Sequence, residues 1–360
     1  MKPNSLLDKI HSKIEDYNKY FYGPQYDLVF RFEQKFFVSQ LLSLISISDL
    51  RILLKSRLAS INMLMNEPEY ISFSIPKKKG GHRLIHSPES KLMRLQSRLN
   101  FHLQNYYHLI RPEGIHGFVI NPNKKEKIFN IVDNAKIHVK QKQVLNLDLK
   151  EFFPSIQAYR VKELFVSDYF KFNDEVANAL ALLVTYEGKL PIGAPTSPVI
   201  SNFICLELDA QLLAFCKENQ INFSRYADDL TFSSNKEITK KTINSIFEII
   251  KQNQFEINSK KTRLKSNNRK QTVTGLVVNE KVNVDQKTLK MVRAMLYDAS
   301  KNGIEKAASK HFTSYKASNL FYSTFFVKRL NGYINFIAQV RGFDDALVIK
   351  FKSEFKNLKN

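Results

Sequence analysis

The sequence predicts an α+β fold, a small antiparallel sheet packed against helices, and three observations carry that prediction. Phe223-Ser224-Arg225-Tyr226 and Leu230-Thr231-Phe232-Ser233 are short strand-like runs on either side of Ala227-Asp228-Asp229. They read as two strands whose turn is the acidic pair, because Asp tolerates the positive φ that tight hairpins use. Val144 to Leu149 alternates, with Leu145, Leu147 and Leu149 on one face and Asn146 and Asp148 on the other, which is the two-residue period of a strand. Elsewhere apolar residues recur at helical spacing, as at Ile200, Ile204, Leu208, Leu212 and Phe215.

Taken in order, residues 1–66 show helical periodicity at Leu41, Leu42 and Ile45 and again at Leu50, Leu53 and Leu54, with no chemical motif. They read as a helical N-terminal extension. Residues 67–143 read as short strands and helices. Residues 144–278 hold the alternating strand and the acidic hairpin. Within them, Glu151 to Ile156 leaves the strand through Pro154 and enters a helix, and Phe152 and Phe153 are as readily core aromatics as anything else. A long helix starts with Ser197 as N-cap and Pro198 in its first turn, both favourable there. Residues 279–360 are helical, with Leu289, Val292, Met295 and Leu296 on one amphipathic helix and Leu330, Ile334, Phe336 and Ile337 on a second. There is no internal repeat and no low-complexity linker.

The chemistry starts from the carboxylates. Adjacent acids repel, so clustering them is costly unless a cation sits between them. Hard divalent cations held by carboxylate oxygens are what in-line phosphoryl or nucleotidyl transfer requires. An acidic pair alone decides little, since most line solvated turns. Asp148, on the polar face of a neighbouring strand, supplies the third acid and favours the metal reading.

Composition agrees. The chain has 55 Lys plus Arg against 34 Asp plus Glu, a net charge of +21 and a pI near 9.7. A protein this basic is a candidate binder of polyanions, the phosphate backbone above all. Residues 76–98 hold Lys77, Lys78, Lys79, Arg83, Lys91, Arg94 and Arg98 against Glu89 alone, and residues 251–290 are similarly basic. Two such runs flanking a three-carboxylate site read as walls of a nucleic-acid channel. Cys205 and Cys216 lie on an apolar helix pattern with no His at ligand spacing, so they read as buried free thiols suited to a reducing cytoplasm. No signal peptide opens the chain and no apolar run approaches the ~20 residues that span a bilayer, so no membrane partner is expected.

Longer motifs carry a family resemblance. Leu147-Asp148-Leu149-Lys150-Glu151-Phe152-Phe153-Pro154-Ser155-Ile156, Leu190-Pro191-Ile192-Gly193-Ala194-Pro195-Thr196-Ser197-Pro198 and Arg225-Tyr226-Ala227-Asp228-Asp229-Leu230 resemble consecutive palm motifs of bacterial reverse transcriptases. Lys79-Gly80-Gly81-His82-Arg83-Leu84-Ile85 followed by Pro88 resembles the fingers motif, and Ile257 to Thr262 the palm motif after the acidic turn. Asn134-Ala135-Lys136-Ile137-His138 and Val273-Thr274-Gly275 resemble the Asn-Ala-x-x-His and Val-Thr-Gly signatures of retron reverse transcriptases.

The resemblance implies a right-hand polymerase, with fingers over 67–143, a palm with an antiparallel sheet over 144–278 and a helical thumb over 279–360. It implies RNA-directed DNA synthesis from deoxynucleoside triphosphates with two Mg²⁺ ions, held by Asp148, Asp228 and Asp229 and by the Leu149 carbonyl. Arg83 and a lysine of the 77–79 cluster, Lys79 by motif position, would clamp the phosphates, and Ala194 would lie beside the nucleotide. Phe153 would exclude a 2′-hydroxyl, and Lys261 is either the proton donor to pyrophosphate or an ordinary exposed lysine. Ile192 stands where the family pattern usually has Gln. For retron enzymes the expected partners are a cognate structured non-coding RNA, primed from an internal 2′-hydroxyl, the RNA-linked single-stranded DNA made from it, and an effector protein in anti-phage defence. The region around Val273-Thr274-Gly275 and the basic thumb are the expected readers of that RNA. A stand-alone defence reverse transcriptase without a branched product, or an RNA-binding scaffold without activity, would share these motifs.

Overall fold

Residues 26–77, 80–120, 129–312 and 319–358 are described by the computed structural model. Helices α1 (Tyr26–Leu42), α2 (Ile47–Leu53) and α3 (Leu58–Asn66) come first. Leu41, Leu50, Leu53 and Leu54 are buried as their periodicity predicts. Ile45 is not: the chain has already left α1, and its side chain is 74% exposed in the connecting turn. The antiparallel hairpin β1 (Tyr70–Pro76) and β2 (His82–Pro88) follows, then the long amphipathic helix α4 (Ser90–Ile110). Helix α5 (Ile131–Lys136) is capped by Asn130, whose side-chain oxygen accepts from the amides of Val132 and Asp133 at 2.7 and 3.1 Å.

The centre of the molecule is an antiparallel sheet of β3 (Gln143–Asp148), β4 (Asn222–Tyr226), β5 (Asp229–Ser234) and β6 (Arg263–Ser266), in the order β4-β5-β3-β6. Helices α6 (Phe152–Ser155), α7 (Ala158–Val166), α8 (Asp174–Val184), α9 (Ser197–Ile204) and α10 (Leu206–Glu218) connect β3 to β4, and α11 (Lys240–Gln252) connects β5 to β6. A short hairpin, β7 (Thr272–Val273) and β8 (Leu276–Val277), leads to α12 (Gln286–Asn302), α13 (Ile304–His311), α14 (Asn319–Arg341) and α15 (Ala346–Asn357).

The sheet divides two cores. Leu145, Leu147, Phe223, Leu230 and Phe232 face the larger one, with residues of α4, α8, α9, α10 and α11. Strand registry puts Asn146, Asp148, Ser224, Tyr226, Asp229, Thr231 and Ser233 on the opposite face, making a polar floor. At one end of that floor Val144 joins the second core, with Val132 and Ala135 of α5, Val273 and Leu276 of the β7-β8 hairpin, and Leu289, Val292, Leu330 and Ile334 of the C-terminal helices.

The single helix expected after Ser197 is two helices, α9 and α10, bent by 49° around Cys205. The bend breaks the single apolar face, so Ile200, Leu208 and Leu212 are buried while Ile204 and Phe215 are only partly so. Ser197 is the first helical residue rather than the cap, and its hydroxyl donates to the Pro191 carbonyl at 2.7 Å. Both cysteines are buried free thiols, pushed up to about 12 by burial and hence unreactive. No single described helix is long and apolar enough to cross a membrane, and the bent pair α9–α10, which passes that test only jointly, carries core residues of the larger cluster.

Behind the sheet lies a fully buried ion pair. Arg225 of β4 donates through Nε and Nη2 to Oδ1 and Oδ2 of Asp209 on α10 at 2.7 and 2.6 Å. Its Nη1 donates to Oδ1 of Asn202 on α9 at 2.9 Å and to the Ala227 carbonyl at 3.2 Å. Burial alone would lower the guanidinium, but the Asp209 charge and its hydrogen bonds raise Arg225 above its ordinary value, so it stays charged. Removing one partner strands the other charge in the core. Arg225→Met should therefore lose about 3–5 kcal/mol of stability in denaturant unfolding, and adding Asp209→Leu should recover much of it. Equal stability of wild type and Arg225→Met would contradict this account.

Candidate active site

Asp148 closes β3, Asp229 opens β5, and the two are direct partners in the antiparallel registry. Asp228 sits in the two-residue turn between β4 and β5. The residue with left-handed backbone there is Ala227, φ 58°, and not an aspartate as the sequence suggested; Asp229 belongs to the strand, paired with Tyr226. Neighbouring contacts hold that conformation. The Ala227 carbonyl accepts from Arg225, the Asp228 carbonyl accepts from the Leu149 amide at 3.0 Å, and Gly117 presses on the turn from outside. A Cβ at Gly117 would stand 2.1 Å from the Ala227 nitrogen, so only glycine permits this approach. The Gly117 carbonyl in turn accepts from Asn202 Nδ2 at 3.0 Å, which links it to the buried ion pair.

Asp148 is clamped from the β6 side. Lys261, in the 3₁₀ turn Ser259–Lys261, donates Nζ to Asp148 Oδ1 at 2.5 Å. Asn258 donates its amide to the Asp148 carbonyl at 2.8 Å and its Nδ2 to Oδ2 at 3.3 Å. The Lys261 side chain is thus both largely exposed and bonded to Asp148, so both readings of it stay open. Asn258 lies within a motif the sequence singled out, but its grip on Asp148 becomes visible only in three dimensions.

The acids load one another. Burial, then the Asp148 charge, raises Asp228 above the usual carboxylate range, opposed by a hydrogen bond from its own backbone amide and then by Lys261 and Arg83. Asp229 keeps an exposed surface, yet the protein around its carboxylate, followed by repulsion from Asp228 and Asp148, pushes it up to about 6. Three such acids at one sheet end fit the donor chemistry of hard divalent cations. As positioned, no three Asp, Glu, His or Cys side chains among the described residues converge on one metal-ion site, and the Lys261 ammonium supplies the positive charge at Asp148. Leu149 is buried in the larger core, with its amide engaged by Asp228.

The remaining expected site residues gather unevenly. Arg83, exposed on β2, is close enough for its charge to lower Asp228. Lys79 lies outside the described residues. Phe153 is partly buried, its ring 5.7 Å from Phe118 and 5.5 Å from Phe152 between centroids, so it is a core aromatic with an open side. Ala194 is buried in the loop before α9. That loop docks on β2 through its backbone: the Ile192 carbonyl accepts from the His86 amide at 2.8 Å. Gly193, at φ 119°, has no room for a Cβ, which would stand 2.8 Å from Ile85 Cγ2. Ile192 thus contributes its main chain to the docking, which the usual Gln would do equally. In the first basic run Lys77, Lys91 and Arg94 are exposed, but Arg98 donates to the carbonyls of Leu54 and Lys55 and ties α4 to the N-terminal helices instead.

The two short signatures lie side by side. Thr274, a β-branched residue at φ 47°, donates its hydroxyl to the Ile131 carbonyl of α5 at 3.3 Å, while Val273 is buried and Gly275 exposed. His138 is fully buried, with Nδ1 2.7 Å from Ser233 Oγ and Nε2 2.8 Å from Ser224 Oγ. Burial, then the neighbouring His116, pushes it down to about 3, so the imidazole is neutral.

A family profile described as reverse transcriptase (RNA-dependent DNA polymerase) matches residues 75–292. The chain is 32% identical over 261 residues to the Retron Mx65 reverse transcriptase of Myxococcus xanthus, covering 67% of this chain and 58% of that one. It is 36% identical over 176 residues to the Retron Ec86 reverse transcriptase of Escherichia coli, covering 48% and 54%. With the Retron Ec73 reverse transcriptase of Escherichia coli it shares 33% identity over 239 residues, covering 61% and 71%. The chain thus spans little more than half the length of the first two relatives.

The raised Asp229 has a measurable consequence. Its folded value near 6 exceeds the ordinary unfolded value of about 3.9, so protonation favours the fold, and that stabilisation is lost as pH rises through about 6. In thermal unfolding of metal-free protein, Asp229→Asn should melt higher than wild type at pH 8, with the gap closing by pH 4. An Asn variant that melts no higher at pH 8 would refute this cost of burying and crowding the Asp229 charge.

Proposed function

This chain belongs to the retron branch of the reverse transcriptase family, and from that premise we propose that it is an RNA-directed DNA polymerase. Its substrate in this reading is a cognate structured non-coding RNA, copied into single-stranded DNA that stays joined to the RNA. The observation that carries the reading is the pairing of Asp148 with Asp229 across β3 and β5, with Asp228 locked in the turn beside them. Asp148, Asp228 and Asp229, helped by the Leu149 carbonyl, are the residues to hold two Mg²⁺. Bound there, such ions activate a primer hydroxyl and stabilise the leaving pyrophosphate.

The side chains around the acids supply the rest. Arg83 and Lys79 grip the triphosphate, Arg83 through a planar fork that matches phosphate oxygens. Phe153 offers its open side to the sugar, where a ring leaves no space for a 2′-hydroxyl. Ala194 sits behind the nucleotide in a loop whose place is fixed by Gly193 and β2. The Lys261 ammonium, already within bonding distance of Asp148, is placed to give a proton to departing pyrophosphate. Exposed Lys77, Lys91, Arg94, Arg263 and Arg269 line the approaches as phosphate contacts. Priming from an internal 2′-hydroxyl, and service in anti-phage defence beside an effector protein, complete the reading and rest on kinship alone.

The test begins with nucleic acid extracted from the protein purified from its native host context, run on a denaturing gel with and without RNase A. A DNA band that runs faster after RNase supports a covalent RNA–DNA product. DNA unchanged by RNase leaves a reverse transcriptase without the branched product, and RNA alone points to a binding scaffold. With primed template, Asp228→Asn should cut deoxynucleotide incorporation by far more than about tenfold while RNA binding persists, and activity within that factor would refute the assignment. Phe153→Ala should raise ribonucleotide incorporation relative to deoxynucleotide, and an unchanged sugar preference returns Phe153 to the core.

A further inference from the structure

We propose that His138 is a positioning residue for nucleotidyl transfer, holding the acidic hairpin through Ser224 and Ser233 on the sheet face that carries Asp148 and Asp229. The proposal rests on the polymerase reading given above. His138, Ser224 and Ser233 are all wholly buried, and the imidazole bridges the two hydroxyls at 2.8 and 2.7 Å. Ser224 lies on β4 two residues before Tyr226, the partner of Asp229, and Ser233 lies on β5 four residues after Asp229. A neutral imidazole offers one donor and one acceptor, and each hydroxyl can play either part, so both contacts are satisfied at once. The bridge therefore fixes β4 relative to β5 on the same face that presents Asp148 and Asp229.

The opposite face is held by Arg225 and Asp209. The hairpin is bracketed between one anchor on each side, and Arg225 also holds the Ala227 carbonyl of the turn that carries Asp228. His138 is itself placed from elsewhere. It follows α5, whose Val132 and Ala135 pack in the second core and whose Ile131 carbonyl accepts from Thr274. A side chain in direct contact with neither substrate nor acid thus sets where Asp228 and Asp229 stand. A shift of about 1 Å at reacting atoms is enough to slow chemistry by about a hundredfold.

The test compares His138→Leu, His138→Gln, the double variant Ser224→Ala/Ser233→Ala, and the triple variant that adds His138→Leu to it. Steady-state synthesis on a primed RNA template gives kcat and the KM for deoxynucleotide, and thermal unfolding gives the folded fraction. For His138→Leu we expect kcat per folded molecule to fall about tenfold or more with KM within about twofold, the pattern of a defect confined to the transition state. The serine double variant should match it, the triple variant should lose nothing further, and His138→Gln, which keeps a donor and an acceptor, should recover part of the rate. If His138→Leu does not fold, the serine pair, which removes only two oxygens, carries the same comparison. Unchanged kcat per folded molecule in the serine pair, or losses that simply add in the triple variant, would overturn the role. Wild type that makes no DNA overturns the polymerase reading and this role with it, whereas active wild type with unaffected variants overturns this role alone.

Discussion

The acidic hairpin depends on a charge pair that never meets solvent. Arg225 and Asp209 are both wholly buried, where each alone would be prohibitive. Together, with Asn202 taking a further Arg225 hydrogen, they satisfy most of their own hydrogen-bonding capacity and leave Arg225 to grip the Ala227 carbonyl. That grip, the Asn202 bond to Gly117 and the bare backbone of Gly117 against the turn form one continuous support. A hydrophobic replacement of similar volume could fill the space. It could not aim a hydrogen bond at a turn carbonyl, and direction is what the acids need.

The other side of the hairpin shows the opposite economy. The polar floor collects like charges whose burial and repulsion raise Asp228 and Asp229, and the protein answers with a flexible ammonium from Lys261 and a neutral amide from Asn258. These partners differ from the Arg225 pair in exposure: the Lys261 side chain is 56% open to solvent. Its hold on Asp148 is accordingly reversible, while the hold of Asp209 on Arg225 is permanent. One face of the sheet thus carries fixed architecture and the other carries adjustable charge.

Much of this was legible in the sequence because strands write their faces with period two. Asp148 on the polar face of an alternating run, and the acidic turn of the hairpin beside it, marked the three acids that the sheet brings together. The fold class was legible from the same kind of periodicity, as were the buried stripe of α12 and the two inert cysteines. What stayed hidden were contacts between residues with no local mark. Arg225 looks like any strand arginine, and Asp209 like an ordinary acid near the start of a helix. Gly117 stands in a segment with no motif. His138 was noticed as part of a signature, but its two serines lie 86 and 95 residues away. The misplaced details have local causes. Asp was favoured over Ala for the left-handed turn because propensity knows nothing of Gly117, and Ile45 and the bend at Cys205 fall where a helix ended earlier than its apolar pattern.

Strand β3 has a further property. Leu145 and Leu147 belong to the larger core and Val144 to the core under the C-terminal helices, so one backbone segment is shared by both. Neither core can melt without uncovering it, and the polar groups it pairs with on β5 and β6 would then be left without partners. The C-terminal helices are for that reason joined to the sheet in a single cooperative unit rather than appended as a separately melting module. The amides of β3 should therefore exchange with solvent only when both cores open together.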